Sequence, residues 1–169
     1  MTNIPILTVI GRSGTGKTTF LEKLIRELTG RGTRLATIKH HSHSGFEIDQ
    51  TGKDSWRYAQ AGSQHVIIAA PDKIASYRLL EHELTLDEIA AHVVDIDLIL
   101  VEGYKEADKP SIEIIRKHMG STNLVGDLRQ TLAVMTDTTL EVTVPQFRLD
   151  DIPEVADLIE TWMASAAGR

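Results

Sequence analysis

Eight consecutive residues, Gly11-Arg12-Ser13-Gly14-Thr15-Gly16-Lys17-Thr18, carry the chemistry most legible in this chain. They fit G-x-x-x-x-G-K-[S/T] and follow the apolar run Ile4–Ile10. Residues 19–28 come next, apolar at helical spacing, so strand, glycine loop and helix stand in the order a phosphate-binding P-loop requires. Gly11, Gly14 and Gly16 let the backbone close around an anion, with the amides of Ser13 and Thr15 turned inward. The helix that opens near Lys17 directs its positive end to the same point. Lys17 is expected to reach the β- and γ-phosphates, the Thr18 hydroxyl to ligate magnesium, and Thr19 to add a further phosphate contact. The expected ligand is a nucleoside triphosphate with Mg2+. The rival explanation is a glycine-rich turn that matches by chance, and the correct flanks argue against it.

A P-loop needs an acidic partner near its magnesium, usually at the end of a neighbouring apolar strand. Glu102 closes Leu98–Val101 and precedes Gly103, which allows close backbone approach, so it is the candidate. Glu in place of the commoner Asp leaves room for contact through water. Catalytic roles are assigned to Lys17 and Glu102. Asp97, at the other end of that strand, is read as a structural surface residue. Lys39-His40-His41-Ser42-His43 opens a second polar loop that runs to Asp49. Three histidines in four positions invite a metal site, but no cysteine accompanies them and their spacing is not a helical i, i+4 pair. Histidines that contact an anionic substrate or organise the loop are the preferred reading, with Lys39 and His40 as the anion candidates. Asp49 and Glu47 are candidates for magnesium contact as in other P-loop switches, with solvated carboxylates as the alternative. Lys53, in Gly52-Lys53-Asp54-Ser55, is a further anion candidate, or else the start of a helix with Asp54 near its N-terminus.

The elements that must hold these groups follow from periodicity. Strands are expected at 4–10, 34–39, 65–70, 73–80, 97–103, 111–116 and 132–136. Helices are expected at 17–30, 53–61, 85–93, where Thr85 and Glu88 form a capping box, and 150–163. Strands alternating with helices imply an α/β fold, a P-loop NTPase with a mostly parallel sheet covered by helices on both faces. The adjacent pair at 65–80 suggests an antiparallel addition that makes the sheet mixed. Val155, Leu158, Ile159 and Trp162 form the packing stripe of the last helix. With 169 residues and no linker or repeat, residues 1–169 are read as a single nucleotide-binding domain.

Composition narrows the partners. A formal net charge of −6 argues against nucleic acid and acidic membrane surfaces. The absence of cysteine excludes disulfides, thiolate catalysis and Cys-ligated metals. No apolar run is long enough to span a membrane, and the N-terminus lacks an export pattern, so a cytoplasmic protein is expected.

Taken together, Gly-x-Ser-Gly-Thr-Gly-Lys-Thr-Thr at 11–19, Ile38-Lys39-His40, Gly52-Lys53-Asp54-Ser55 and Leu100-Val101-Glu102-Gly103-Tyr104-Lys105 resemble the molybdopterin-guanine dinucleotide biosynthesis protein B family. Ile112-Glu113-Ile114-Ile115-Arg116 is a weaker fifth stretch. The resemblance implies a GTP-binding, weakly hydrolysing homodimer. It acts as an adaptor or nucleotide carrier for a separate guanylyltransferase that attaches GMP to molybdopterin, and the molybdenum-inserting protein is a further implied partner. Two positions depart from the family pattern: Glu47-Ile48-Asp49 stands where Asp-x-Asp is usual, and Thr51 where Pro is common. No Asn-Lys-x-Asp guanine-reading motif is present. Asp137, in Thr136-Asp137, is the family-like candidate for the base, since a carboxylate can accept two hydrogen bonds from guanine N1 and N2; a plain turn residue is the alternative. Arg12 is read as a solvent-exposed residue, or as an arginine finger across a dimer. Two rival functions remain. A small-molecule P-loop kinase would draw its lid from Arg116, Lys117 and Arg129. A GTP-driven metal-delivery protein would use His40, His41 and His43.

Overall fold

The computed structural model describes residues 4–41, 45–119 and 123–167. The chain divides into two compact units, residues 41–85 and the remainder.

The larger unit is built on a six-stranded sheet in the order β2-β5-β1-β6-β7-β8. Its strands are β1 (Ile6–Ile10), β2 (Leu35–Lys39), β5 (Leu98–Glu102), β6 (Ser111–Ile115), β7 (Thr131–Thr136) and β8 (Gln146–Phe147). Every pairing is parallel, so all strand C-termini lie along one edge. β1 sits centrally and all five of its residues are buried, as a strand covered on both faces must be. One face packs on α1 (Lys17–Gly30) and α4 (Ile152–Ala167). Leu7 and Val9 of β1 meet Phe20, Leu21, Leu24 and Leu28 of α1 and Val155 and Ile159 of α4 there. The spacing of the α1 residues, i, i+1, i+4 and i+8, is a stripe that faces one neighbour. The opposite face is covered in part by α3 (Leu86–Ala90), whose Leu86 and Ala90 pack with Ile6, Ile99 and Val101.

The mostly parallel α/β architecture agrees with the sequence reading. The antiparallel pair differs in place: β3 (His65–Ala70) and β4 (Lys73–Arg78) pair only with each other and form a separate two-stranded sheet in the smaller unit. That unit also holds α2 (Asp54–Gln60). The two residues of β8 are too short for a periodic signal, and the sequence gives no hint of them. The helix expected over 85–93 is confined to Leu86–Ala90.

Candidate functional site

The P-loop emerges from the C-terminal end of β1, in the middle of the edge where the strands end. Its first residue, Gly11, has φ +142°, and a Cβ placed there would lie 2.6 Å from the Ile114 carbonyl oxygen of β6. Only glycine lets the chain turn out of the sheet this close to the neighbouring strand. Thr15 is buried and its hydroxyl donates to the Arg12 carbonyl at 2.9 Å, which closes the loop on itself. Gly16, at φ 93°, precedes α1, and no side chain caps the helix. No acidic residue occupies its first turn either. The helix therefore opens with amides and a positive dipole end and without a local carboxylate to neutralise them. The Lys17 ammonium donates to the Gly11 and Arg12 carbonyls, each at 3.0 Å, and so spans the loop from within.

Glu102 ends β5, which pairs with β1 in the register Val9↔Glu102. This places its carboxylate against α1: the Thr18 hydroxyl donates to Oε2 at 3.1 Å and lies 3.3 Å from Oε1. A hydroxyl and a carboxylate, oxygen donors only, are the ligand chemistry of a hard cation such as Mg2+, which keeps several waters and takes the rest of its shell from phosphate. The pair fits that ion. Thr18 and Glu102 are 84 residues apart, and parallel strand order alone brings them together.

Lys39 closes β2 on the other side of β5 and pairs with Glu102 in the ladder, its ammonium 3.9 Å from Oε1. The His40 amide donates to the Glu102 carbonyl at 2.9 Å. A Cβ on Gly103 would come within 3.0 Å of the His40 Cβ, and Gly103 has φ +99°, so glycine is needed here to let the two loops touch. The His40 ring stacks on Tyr104 with centroids 4.3 Å apart. Lys39, His40 and Tyr104 thus form one cationic and aromatic edge beside Glu102. Tyr104 was read only as part of a motif, and its role as the platform for His40 depends on a contact that spacing does not reveal.

On the opposite side of β1, Arg116 and Asp137 are the residues that follow β6 and β7. Arg116 Nε donates to Asp137 Oδ2 at 2.8 Å and the Lys117 amide to Oδ1 at 2.7 Å. These two donors, the amide first, hold the Asp137 carboxyl below the usual carboxylate range. Asp137 also lines a cavity of about 770 Å3 with Gln146, Phe147 and Arg148, between the ends of β7 and β8 and the start of α4.

Asp49 and Lys53 belong to the smaller unit. Asp49 Oδ1 accepts from Ser55 at 3.0 Å and from the Gln50 amide at 2.8 Å, and Oδ2 accepts from the Tyr77 hydroxyl at 3.0 Å. The Ser55 bond leads in lowering its pKa. Within its own unit this carboxylate ties the loop to α2 and β4. Lys53 is exposed and precedes α2, its amide bonded to the Gln50 carbonyl at 3.1 Å. His43 lies outside the described residues. Among those described, no three His, Asp or Glu side chains converge as a metal-holding group, and no helix is long and apolar enough to cross a membrane.

The sequence profile of the family described as molybdopterin guanine dinucleotide synthesis protein B matches residues 6–137, from the first residue of β1 to the Asp137 at the end of β7. The chain belongs to that family. It is 40% identical over 163 residues to the molybdopterin-guanine dinucleotide biosynthesis adapter protein of Haemophilus influenzae, covering 95% of this chain and 90% of the relative. The Escherichia coli protein of the same description is 37% identical over 173 residues, covering 99% and 98%. The crystal structure of Bacillus subtilis MobB superposes with a TM-score of 0.74 at 28% identity, covering 94% of this chain and 97% of that one. Membership and fold therefore agree with what the four motifs imply.

Two residues of the weaker fifth motif take a place that its sequence does not specify. Arg116, also a lid candidate, lies beside the P-loop: a Cβ on Gly16 would be 4.0 Å from its Nη1. Glu113 is a fully buried carboxylate on β6. It accepts from the amides of Val125 and Gly126 at 2.6 and 3.0 Å and so fastens the segment that crosses that face of the sheet. A charged residue inside an apolar strand was the available signal, because a buried charge requires partners.

Proposed function

We propose that this protein is a GTP-binding adapter in molybdenum cofactor biosynthesis, assisting the attachment of GMP to molybdopterin to form molybdopterin guanine dinucleotide. The observation that carries the nucleotide part is the meeting of Thr18 and Glu102 at the uncapped start of α1, beside the lysine of a complete P-loop. The adapter part rests on the descriptions of the relatives above.

Lys17 moves from the loop carbonyls to the β- and γ-phosphates, while the loop amides and the α1 terminus balance phosphate charge. Thr18 and Glu102 would hold Mg2+, which would supply positive charge to offset that of the phosphates. Hydrolysis is slow in this reading, consistent with motifs that offer no obvious water-positioning base. The base occupies the cavity between the ends of β7 and β8. Lys39, His40 and Tyr104 receive an anionic partner group beside Glu102. The protein works in the cytoplasm as a homodimer, together with the guanylyltransferase and the molybdenum-inserting protein. Ile67, Ile68 and Ile74 of the β3–β4 hairpin, 55%, 49% and 72% exposed, support the homodimer.

Titration calorimetry with GTP and ATP, with and without Mg2+, tests the reading on wild type and Lys17→Ala. A preference for Mg-GTP that is lost in the variant is the expected result. Equal binding of ATP, or binding indifferent to Lys17, overturns it.

A further inference from the structure

We propose that Arg116 is a phosphate-binding residue of the nucleotide site, and that Asp137 positions Arg116 instead of reading the base. The inference rests on the nucleotide reading above and deepens it.

Strand order comes first. β6 is the parallel neighbour of β1, with Ile10 opposite Glu113, and the P-loop starts in contact with the Ile114 backbone. Arg116 is the first residue after β6, so its Cα stands beside the loop. Its side chain could extend to solvent, as most arginines at strand ends do. Here it turns towards the loop instead, with Nη1 4.0 Å from where a Gly16 Cβ would be. Gly16 is the residue from which α1 departs, at the centre of the phosphate cradle. The side chain is 30% exposed, too enclosed for a freely solvated arginine.

Asp137 holds the rear edge of the guanidinium through Nε. The Lys117 amide fixes the other carboxylate oxygen in turn. Among the described residues Nη1 and Nη2 donate to no partner. One edge of the fork is anchored, and the N–H groups nearest the P-loop remain for a ligand. A guanidinium held in this way presents the geometry that suits a phosphate. Its ligand is a non-bridging oxygen of a nucleotide's phosphate chain, on the side of the loop opposite Glu102. The site would then carry two cations, Lys17 within the loop and Arg116 beside it.

The same bonds argue against Asp137 as the base reader. Recognition of guanine N1 and N2 by a carboxylate uses both oxygens at once. Here each oxygen already accepts from a fixed donor, so the carboxylate is held to Arg116 and to the Lys117 amide and keeps one lone pair, not two, on each oxygen for a base. The cavity lined by Asp137 can still receive the base, with other groups supplying the discrimination.

The test uses the full chain and binding of Mg-GTP, Mg-ITP and Mg-ATP to wild type, Arg116→Gln, Arg116→Lys, Asp137→Asn and the Arg116→Gln/Asp137→Asn double variant. ITP lacks the 2-amino group of guanine, so the GTP:ITP ratio reports base reading alone. Arg116→Gln should weaken all three nucleotides by one common factor, about tenfold to a hundredfold, the range for losing a charge-assisted contact. It should also flatten the salt dependence of binding, which a purely structural staple between β6 and β7 would leave unchanged. Asp137→Asn should weaken all three by a smaller common factor, leave GTP:ITP unchanged, and add nothing in the Arg116→Gln background. Arg116→Lys keeps the charge but loses the fork and should fall between wild type and Gln; it decides the matter if the Gln variant does not fold. The proposal is overturned if Arg116→Gln or Arg116→Lys binds all three as wild type does, or if Asp137→Asn collapses the GTP:ITP ratio at unchanged ATP affinity. If Lys17→Ala destroys binding while the Arg116 variants do not, this inference alone falls. If Lys17→Ala binds like wild type, the nucleotide reading falls with it.

Discussion

Two carboxylates at opposite ends of β5 show how position along a strand sorts side chains. Glu102 ends the strand at the P-loop edge, and Asp97 precedes it at the opposite edge. Replacing Glu102 by Gln keeps the shape and removes the charge. Nucleotide affinity measured with EDTA should then stay near wild type while the increment from Mg2+ is lost, because only a charged oxygen competes well for the ion. Asp97 does structural work at the far edge. It receives the Arg34 amide at 2.8 Å and two guanidinium donors at 3.0 and 2.6 Å, and these bonds, the guanidinium first, push its pKa down to about 2. A depressed carboxylate stabilises the fold above its unfolded pKa, near 3.9, and that contribution is lost as pH falls through the folded value. Asp97→Asn should therefore be less stable than wild type by a constant margin above about pH 5, and the margin should shrink between about pH 4 and pH 2. Urea midpoints across that range check it. A margin that persists at pH 2 would mean that the amide loses packing and not charge.

At the scale of elements, the site depends on how closely β1, β5 and β6 and the loops at their ends approach one another. Gly11 is the tightest point. Alanine there must adopt φ +142° and place its methyl 2.6 Å from the Ile114 carbonyl. Gly11→Ala should cost more than about 1 kcal/mol of stability, since both the backbone region and the space are unsuited to it, and nucleotide affinity should fall further than stability. Denaturant melts and calorimetry on the same sample separate the two losses. The support beneath the loop is α1, whose Leu24 is fully buried between the sheet and α4. Leu24→Ala should lose about 2–5 kcal/mol by transfer and cavity costs together. Most of the helices and strands of the larger unit were legible because each has a single period. β1 and β5 appear as continuous apolar runs and α1 as a stripe. α3 is shorter than its sequence pattern because a capping signal says where a helix starts and not where it ends, and β8 is not legible because two residues carry no period.

At the scale of the molecule, the smaller unit presents an unusual surface. The β3–β4 hairpin exposes Ile67 and Ile74 on one face and Ile68 on the other, and as a two-stranded sheet it leaves an outer edge on each strand. Sheet edges of this kind, with apolar side chains, favour association. If the homodimer proposed above uses this hairpin, Ile74→Lys should shift sedimentation from dimer towards monomer while leaving the far-ultraviolet dichroism intact; a variant that sediments as wild type does would remove the hairpin from any such interface. The expected antiparallel addition to the main sheet came from reading adjacency in sequence as adjacency in one sheet. β3 and β4 pair with each other alone among the described strands, and the hairpin belongs to the smaller unit.

The sequence by itself determined the chemistry of the P-loop, the acid that ends β5 and the family. Each of these is written in contiguous residues whose order already implies a local geometry. Tertiary structure decided which strand ends are neighbours. A parallel strand buried on both faces reads as an apolar run wherever it lies in the sheet, so nothing in Leu98–Glu102 or Ser111–Ile115 says that these two flank β1. Only that lateral order sets Glu102 against Thr18 on one side of the loop and Arg116, held by Asp137, on the other.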